Sequence, residues 1–290
     1  MSGQFITSQD GTHIWADAAG TPGKPSVVFV HGFLTSSLNW TRQFGDRQLL
    51  ESLYIIQYET RGHGRSDQPE SEDAYVSARH AEDFQAVCVA FGVSKPVVVG
   101  WSLGGIIVPD ILSRFGTSPL PIAGLIMFNA IPWRSMFPEI LTPYSIKILP
   151  PLSSSDLPGF QNALQELMGS FFSPGYIAKV SFEERCAWIG SAASMNTAAR
   201  TFSISRTQDE TALLSVSKEL PILCIQATGD KLMEQDKHEA FMKRHFGDNL
   251  DYQRIPGGGH APFYEFPETV NSMIIEFIQR VYDIGVDTGL

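Results

Sequence analysis

The chain has 290 residues, 18% of them charged, and a formal net charge of −10 at pH 7. With 43% hydrophobic residues and 25 glycines it can bury a large core, which excludes the low-hydrophobicity, high-charge regime of disordered chains. The excess of 31 acidic over 21 basic residues argues against nucleic acid or an anionic membrane surface as partner, since both attract the opposite sign.

In chain order, two short runs at 4–7 and 13–16 flank Asp10-Gly11, a hairpin turn signal. Continuous apolar runs follow. Ser26 to Val30 ends in His31-Gly32, Leu53 to Tyr58 ends at a glycine-rich turn, and Pro96 to Val99 ends at Gly100. Ala123 to Phe128 ends at Asn129, Pro221 to Ile225 ends near Gly229-Asp230, and Leu250 to Ile255 precedes Pro256-Gly257-Gly258-Gly259. Non-alternating runs of this length predict parallel strands buried on both faces. Helical patterns occupy 78–91, 103–115, 237–245 and 267–282. The expectation is an α/β architecture, a mostly parallel open sheet with an antiparallel start, flanked by helices.

From about Trp133 to Leu214 the alternation stops. Phe160, Leu164, Leu167 and Phe171 fall on one helix face, Ser181 and Glu184 form a capping-box pair, and Pro138, Pro143, Pro150, Pro151 and Pro158 punctuate the start. An all-helical insertion of this length reads as a lid after the sixth strand. The expected organisation is a core at 1–132, a helical lid at 133–215 and the rest of the core at 216–290.

Cys88, Cys186 and Cys224 lie far apart in apolar surroundings, without C-x-x-C spacing, and read as buried small hydrophobes in a reducing compartment. No metal-ligand spacing and no dinucleotide fingerprint is present, so neither a metal nor a cofactor is expected. The N-terminal residues lack a signal-peptide pattern, and the most apolar segment, Leu120 to Trp133, is shorter than a span of about 20 residues. A soluble, cytoplasmic location is the expectation.

Gly100-Trp101-Ser102-Leu103-Gly104 is a G-x-S-x-G. The pentapeptide alone is a weak signal, but here it follows a predicted strand and opens a predicted helix, the setting of a nucleophile elbow. Ser102 then stands at a helix N-terminus, where N–H groups favour an oxyanion. A serine needs a base, and His260, in a flexible loop ahead of the last helix, is the best of the seven histidines. His13, His80, His238 and His245 read as structural or solvent-facing. The imidazole needs an acid to orient it. Asp230 fits the chain order Ser, Asp, His, with Glu234 and Asp236 as competitors; Asn129, at the alternative position after the preceding strand, carries no charge.

The segments His31-Gly32-Phe33, Arg61 to Asp67, Gly100 to Gly105, Gly229-Asp230 and Gly259 to Phe263 together resemble the α/β-hydrolase superfamily, through nearly the whole chain outside the lid. The nearest likeness is to its cofactor-free esterases, which include the non-haem haloperoxidases; the elbow also resembles that of the pimeloyl-carrier-protein methyl ester esterase. The resemblance implies Ser102 as nucleophile, His260 as base, Asp230 as its partner, and the backbone N–H groups of Phe33 and Leu103 as oxyanion hole. His31 is expected to hold the oxyanion loop, and Arg61, His63 and Asp67 to form a turn-stabilising network. The side chains of Phe33 and Trp101 either line the pocket or belong to the core.

The leading function is hydrolysis of a carboxylic ester or lactone of a small to medium, largely apolar small molecule. Carbon–carbon hydrolysis, peracid formation, cofactor-independent oxygenation or ligand reception on the same fold are the alternatives. An Asp-nucleophile epoxide hydrolase or haloalkane dehalogenase is excluded by Ser102.

Overall fold

The computed structural model describes residues 3–288. Its strands are β1 (Gln4–Thr7), β2 (His13–Gly20), β3 (Ser26–Val30), β4 (Tyr54–Tyr58), β5 (Val97–Trp101), β6 (Gly124–Phe128), β7 (Ile222–Ala227) and β8 (Leu250–Ile255). They form one sheet in the order β1-β2-β4-β3-β5-β6-β7-β8. β1–β2 and β2–β4 are antiparallel and all other pairs are parallel. Every residue of β3, β4, β5, β6 and β7 is buried, the physical counterpart of their unbroken apolar runs.

β2 runs four residues further than its sequence pattern indicates. Ala18, Ala19 and Gly20 carry no strand signal of their own, yet they pair with Ile56, Ile55 and Tyr54 of β4. The partner strand imposes the extended backbone. Helices Ser77–Ala90 and Ile107–Phe115 pack against each other, and Pro267–Thr288 packs on β6. The segment after Ser102 begins as a 3-10 turn, Ser102–Ile106, before the α-helix starts at Ile107.

Between β6 and β7 the described chain is helical, with Pro143–Leu152, Leu157–Ser170, Phe182–Ala193 and Thr197–Ser205 as its longest pieces. Pro143 sits in a first helical turn, where its missing N–H costs nothing, behind the Thr142 cap. The Ser181–Glu184 pair forms a reciprocal capping box. Phe160, Leu164, Leu167 and Phe171 are all buried. At the far end Arg206 and Gln208 both reach the carboxylate of buried Asp110, each at 2.7 Å, fastening the insertion to the helix behind the elbow.

Of the cysteines, Cys88 and Cys224 are buried but Cys186 is exposed. Its apolar neighbours Trp188 and Ile189 turn inward on the helix while position 186 turns outward, which the local run could not reveal. Burial pushes the Cys88 thiol up to about 12. Among the described residues no helix is long and apolar enough to cross a membrane.

Burial also lowers the pKa of five histidines, His31, His63, His80, His238 and His245. Burial pushes His238 down to about 4, outweighing the opposing bond from Nε2 to the Ala130 carbonyl (2.8 Å); Nδ1 bonds the Tyr252 hydroxyl (3.0 Å). An unfolded histidine takes a proton near pH 6.5, whereas the folded one resists until about 4, so acid favours unfolding across that window. Denaturant unfolding at pH 7 and pH 5 should show stability falling by about 2 kcal/mol from His238 alone. His238→Gln should flatten the pH dependence by that amount, and an unaltered slope would refute the assignment.

Candidate active site

The parallel strands end at one edge of the sheet, so the residues following β3, β5, β7 and β8 converge there. β5 delivers Ser102 in the left-handed region, at φ +52°. A serine is normally kept out of that region by its Cβ. The turn is tight because the following backbone lies against β3: a Cβ on Gly104 would collide with the Val30 carbonyl oxygen.

Asp230 follows β7 and His260 follows β8, and the two meet. Asp230 Oδ2 accepts the His260 Nδ1 hydrogen at 2.9 Å, with both side chains buried. Nδ1–H donation leaves Nε2 as the lone-pair nitrogen, and among the described residues Nε2 has no hydrogen-bond partner. The Asp230 carboxylate is balanced by donors alone. Leu232 N–H gives to Oδ1 at 2.8 Å, and Asn129 Nδ2 gives to Oδ2 at 2.6 Å. Of the competing acids, Asp236 is exposed on its helix and pairs with Arg254 at 2.8 Å, and Glu234 makes no bond to His260. The neighbouring strand end therefore supplies not a second acid but an amide that serves the first. Asn129 is set for this by a φ of +40° and by its Oδ1, which accepts the Ala227 N–H at 3.1 Å.

Phe33, Ser102, Leu103, Ile131 and His260 line one cavity. The insertion closes it with Phe137, Leu141, Ser145, Leu149 and Ile204, and the loop after β7 adds Leu232 and Met233. Ser145 spends its hydroxyl on the Leu232 carbonyl at 2.7 Å. The cavity therefore offers Ser102 Oγ and the His260 imidazole against an apolar wall. The wall residues of the insertion carry no sequence signal that separates them from packing residues; only their placement does.

Trp101 belongs to the core. It is fully buried, does not line the cavity, and donates Nε1–H to the His260 carbonyl at 2.8 Å. Its ring packs among Trp40, Phe171, Trp188 and Phe263. Phe171 and Trp188 likewise face this aromatic cluster rather than the cavity.

His31 holds the loop after β3. Its Nδ1 donates to the Gly32 carbonyl at 2.8 Å, its Nε2 accepts the Thr60 N–H at 3.0 Å, and burial keeps it neutral. Arg61, His63 and Asp67 stabilise their turn, which is tied internally by His63 Nδ1 to the Arg61 carbonyl at 3.3 Å and by Gly62 N–H to the Asp67 carbonyl at 2.8 Å. Arg61 makes a bidentate pair with Asp83 and reaches Asp10, His63 bonds Thr60, and Asp67 bonds His13. Among the described residues no three His, Cys, Asp or Glu side chains are grouped to hold a metal ion.

Residues 27–273 match the alpha/beta hydrolase family. The chain is 38% identical over 117 residues to the "probable oxidoreductase EphD" of Mycobacterium tuberculosis, covering 40% of this chain and 19% of that protein. It is 33% identical over 135 residues to a non-heme chloroperoxidase of Streptomyces lividans, 44% of each chain. The chain thus spans less than half the length of these curated relatives. Esterase RhEst1 of Rhodococcus sp. ECU1013 superposes with a TM-score of 0.84 at 26% identity, covering 97% of this chain and 100% of that one.

Asn129→Asp would set two buried carboxylates in contact, and like charges there resist joint ionisation. The variant should lose on the order of 1–3 kcal/mol relative to the parent at pH 7. It should regain part of this at pH 5, where the pair can share a proton. Denaturant titration of both proteins at the two pH values checks it.

Proposed function

The chain belongs to the alpha/beta hydrolase family, and on that premise we propose that it is a serine hydrolase cleaving carboxylic esters or lactones of small to medium, largely apolar molecules. One observation carries the reading. A buried Asp230–His260 pair, with the imidazole Nε2 unbonded among the described residues, opens on a cavity that it shares with a left-handed Ser102 and, Ser145 apart, with apolar side chains.

In this reading Ser102 Oγ attacks the acyl carbon while His260 Nε2 takes its proton, and Asp230 stabilises the resulting imidazolium. Negative charge moves to the carbonyl oxygen, where the N–H groups of Phe33 and Leu103 receive it. The tetrahedral intermediate collapses, the alkoxide leaves with the proton from His260, and the acyl group stays on Ser102. Water, deprotonated by the same imidazole, then releases the acid and restores the serine. The helical insertion acts as a lid whose inner wall selects the apolar part of the substrate. Esterase and haloperoxidase relatives support the hydrolase class, and the esterase RhEst1 supports ester cleavage.

A fluorophosphonate forms a bond from phosphorus to an activated serine oxygen with loss of fluoride, so it reports the nucleophile without knowledge of the substrate. The parent should label at Ser102 and Ser102→Ala should not, with its fold unchanged by circular dichroism. Asp230→Asn should lower turnover of a para-nitrophenyl ester by up to about 10⁴-fold, while Asp236→Asn leaves it near the parent value. Labelling that persists at another serine, or the reverse order of the two amide variants, would refute the mechanism.

The wall predicts selectivity. Leu149→Ala and Ile204→Ala should each move the preferred acyl length of para-nitrophenyl esters upward by one or more carbons, whereas Val89→Ala, on the exposed side of its helix, should not. A chain-length profile that all three leave unchanged would show that this cavity does not hold the acyl group.

A further inference from the structure

His260 sits in a loop that three glycines would leave loose, since each of Gly257, Gly258 and Gly259 lacks the side chain that restricts backbone rotation. The core anchors this loop through Gly229 N–H to the Gly258 carbonyl and Trp101 Nε1–H to the His260 carbonyl, each at 2.8 Å, and the segment Phe171–Ser173 of the helical insertion holds the two residues that flank the base. On one side of the histidine, Ala261 N–H donates to the Phe171 carbonyl at 2.8 Å. On the other side the link runs through Glu265, whose side chain is buried. Its Oε1 accepts Gly259 N–H at 2.7 Å and Ser173 N–H at 2.9 Å, and its Oε2 accepts the Ser173 hydroxyl. Both peptide neighbours of His260 are thereby tied to the same three residues. The Phe171 ring also lies nearly parallel to the imidazole, 5.9 Å away at 22°. Gly259 packs so closely that a Cβ there would lie 2.6 Å from the Ser173 nitrogen.

We propose that Glu265 is a positioning residue that couples the 171–173 segment of the insertion to His260, so that the base is set for proton transfer only while that segment is docked. The inference rests on the serine-hydrolase reading of the same site. Among the described residues Glu265 has no Lys or Arg partner, so its negative charge is met only by these three donors. Bonds from N–H and O–H groups to an ionised carboxylate are shorter and stronger than neutral ones, which suits a link that must hold a glycine-rich loop. An outward movement of the insertion that carries 171–173 with it breaks the Ser173–Glu265 and Phe171–Ala261 links together and removes one anchor on each side of the base, leaving the bonds from Gly229 and Trp101 to hold the loop less tightly. Substrate admission and base alignment are then one event: the site is assembled by closure.

The test uses the full chain and the variants Ser173→Ala, Glu265→Gln and the double variant. Ser173→Ala removes one hydroxyl and keeps its backbone N–H; Glu265→Gln keeps the shape and one acceptor. The measurements are the rate of fluorophosphonate labelling at Ser102, kcat and KM for a para-nitrophenyl ester, and the folded fraction by circular dichroism. We expect Glu265→Gln to slow both labelling and kcat by about 10-fold to 100-fold with KM within about threefold, and Ser173→Ala to slow them by about 3-fold to 10-fold. The double variant should fall no further than Glu265→Gln, because both changes cut one link. Folded variants with parental labelling rate and kcat, a rise in KM alone, or multiplying effects in the double variant would overturn the coupling. Ser173→Ala decides the matter if Glu265→Gln does not fold. A parent chain that never labels at Ser102 would instead overturn the serine reading and the coupling with it.

Discussion

The reversal of the chain at Ser102 constrains everything around it. Between β5 and the following helix the backbone turns through a left-handed serine at φ +52°, a conformation that costs of order 1–3 kcal/mol and persists only when its surroundings over-determine it. They do so here by contact. The residue ahead of the serine, Trp101, is buried among aromatic rings, and the glycine behind it admits the Val30 carbonyl where a side chain would stand. Relaxing the turn would require moving β3, the elbow helix and the aromatic cluster together.

The second requirement is a buried carboxylate that remains useful without a cation beside it. Asp230 receives hydrogen bonds from His260, Asn129 and the Leu232 backbone, so its charge is dispersed over donors whose positions the sheet edge sets. An Arg or Lys at that point would compete with the imidazole for the same oxygens. Two buried arginines are spent elsewhere: Arg61 on Asp83 and Asp10, Arg206 on Asp110. Such buried pairs stabilise little on balance, since desolvation offsets their attraction, but breaking one leaves a bare charge. They fix where the turn after β4 and the end of the helical insertion sit.

Hydrocarbon and polar chemistry are separated with little overlap. The cavity wall is apolar apart from the serine and imidazole, because Ser145 is already bonded to a backbone carbonyl. Trp101 works from behind this wall, giving its indole N–H to the His260 carbonyl while its ring packs on Phe171 and Trp188. The insertion thus touches the site twice, through the cavity wall and through the mounting of the histidine loop.

The strands along the chain, the elbow and the members of the Asp230–His260 pair were legible because each depends on local pattern: an apolar run, a glycine pair around a serine, an acid or histidine just past a strand; the order of the strands in the sheet was not, since it is set by pairing between distant segments. A buried parallel strand needs no partner to be recognised, and the glycines of the elbow report crowding by their lack of side chains. The extension of β2 through Ala18, Ala19 and Gly20 was not legible, since the neighbouring strand imposes it. Nor could a run of apolar residues show that Cys186 turns outward while Trp188 turns in. The neutral Asn129 after β6 looked like a missing acid; only the meeting of two strand ends reveals it as a donor to Asp230. Trp101 stood equally well in pocket or core, and Leu149 and Ile204 looked the same as Phe171. Which buried side chain faces a cavity and which faces a neighbouring ring depends on contacts between segments dozens of residues apart, and those exist only in the folded chain.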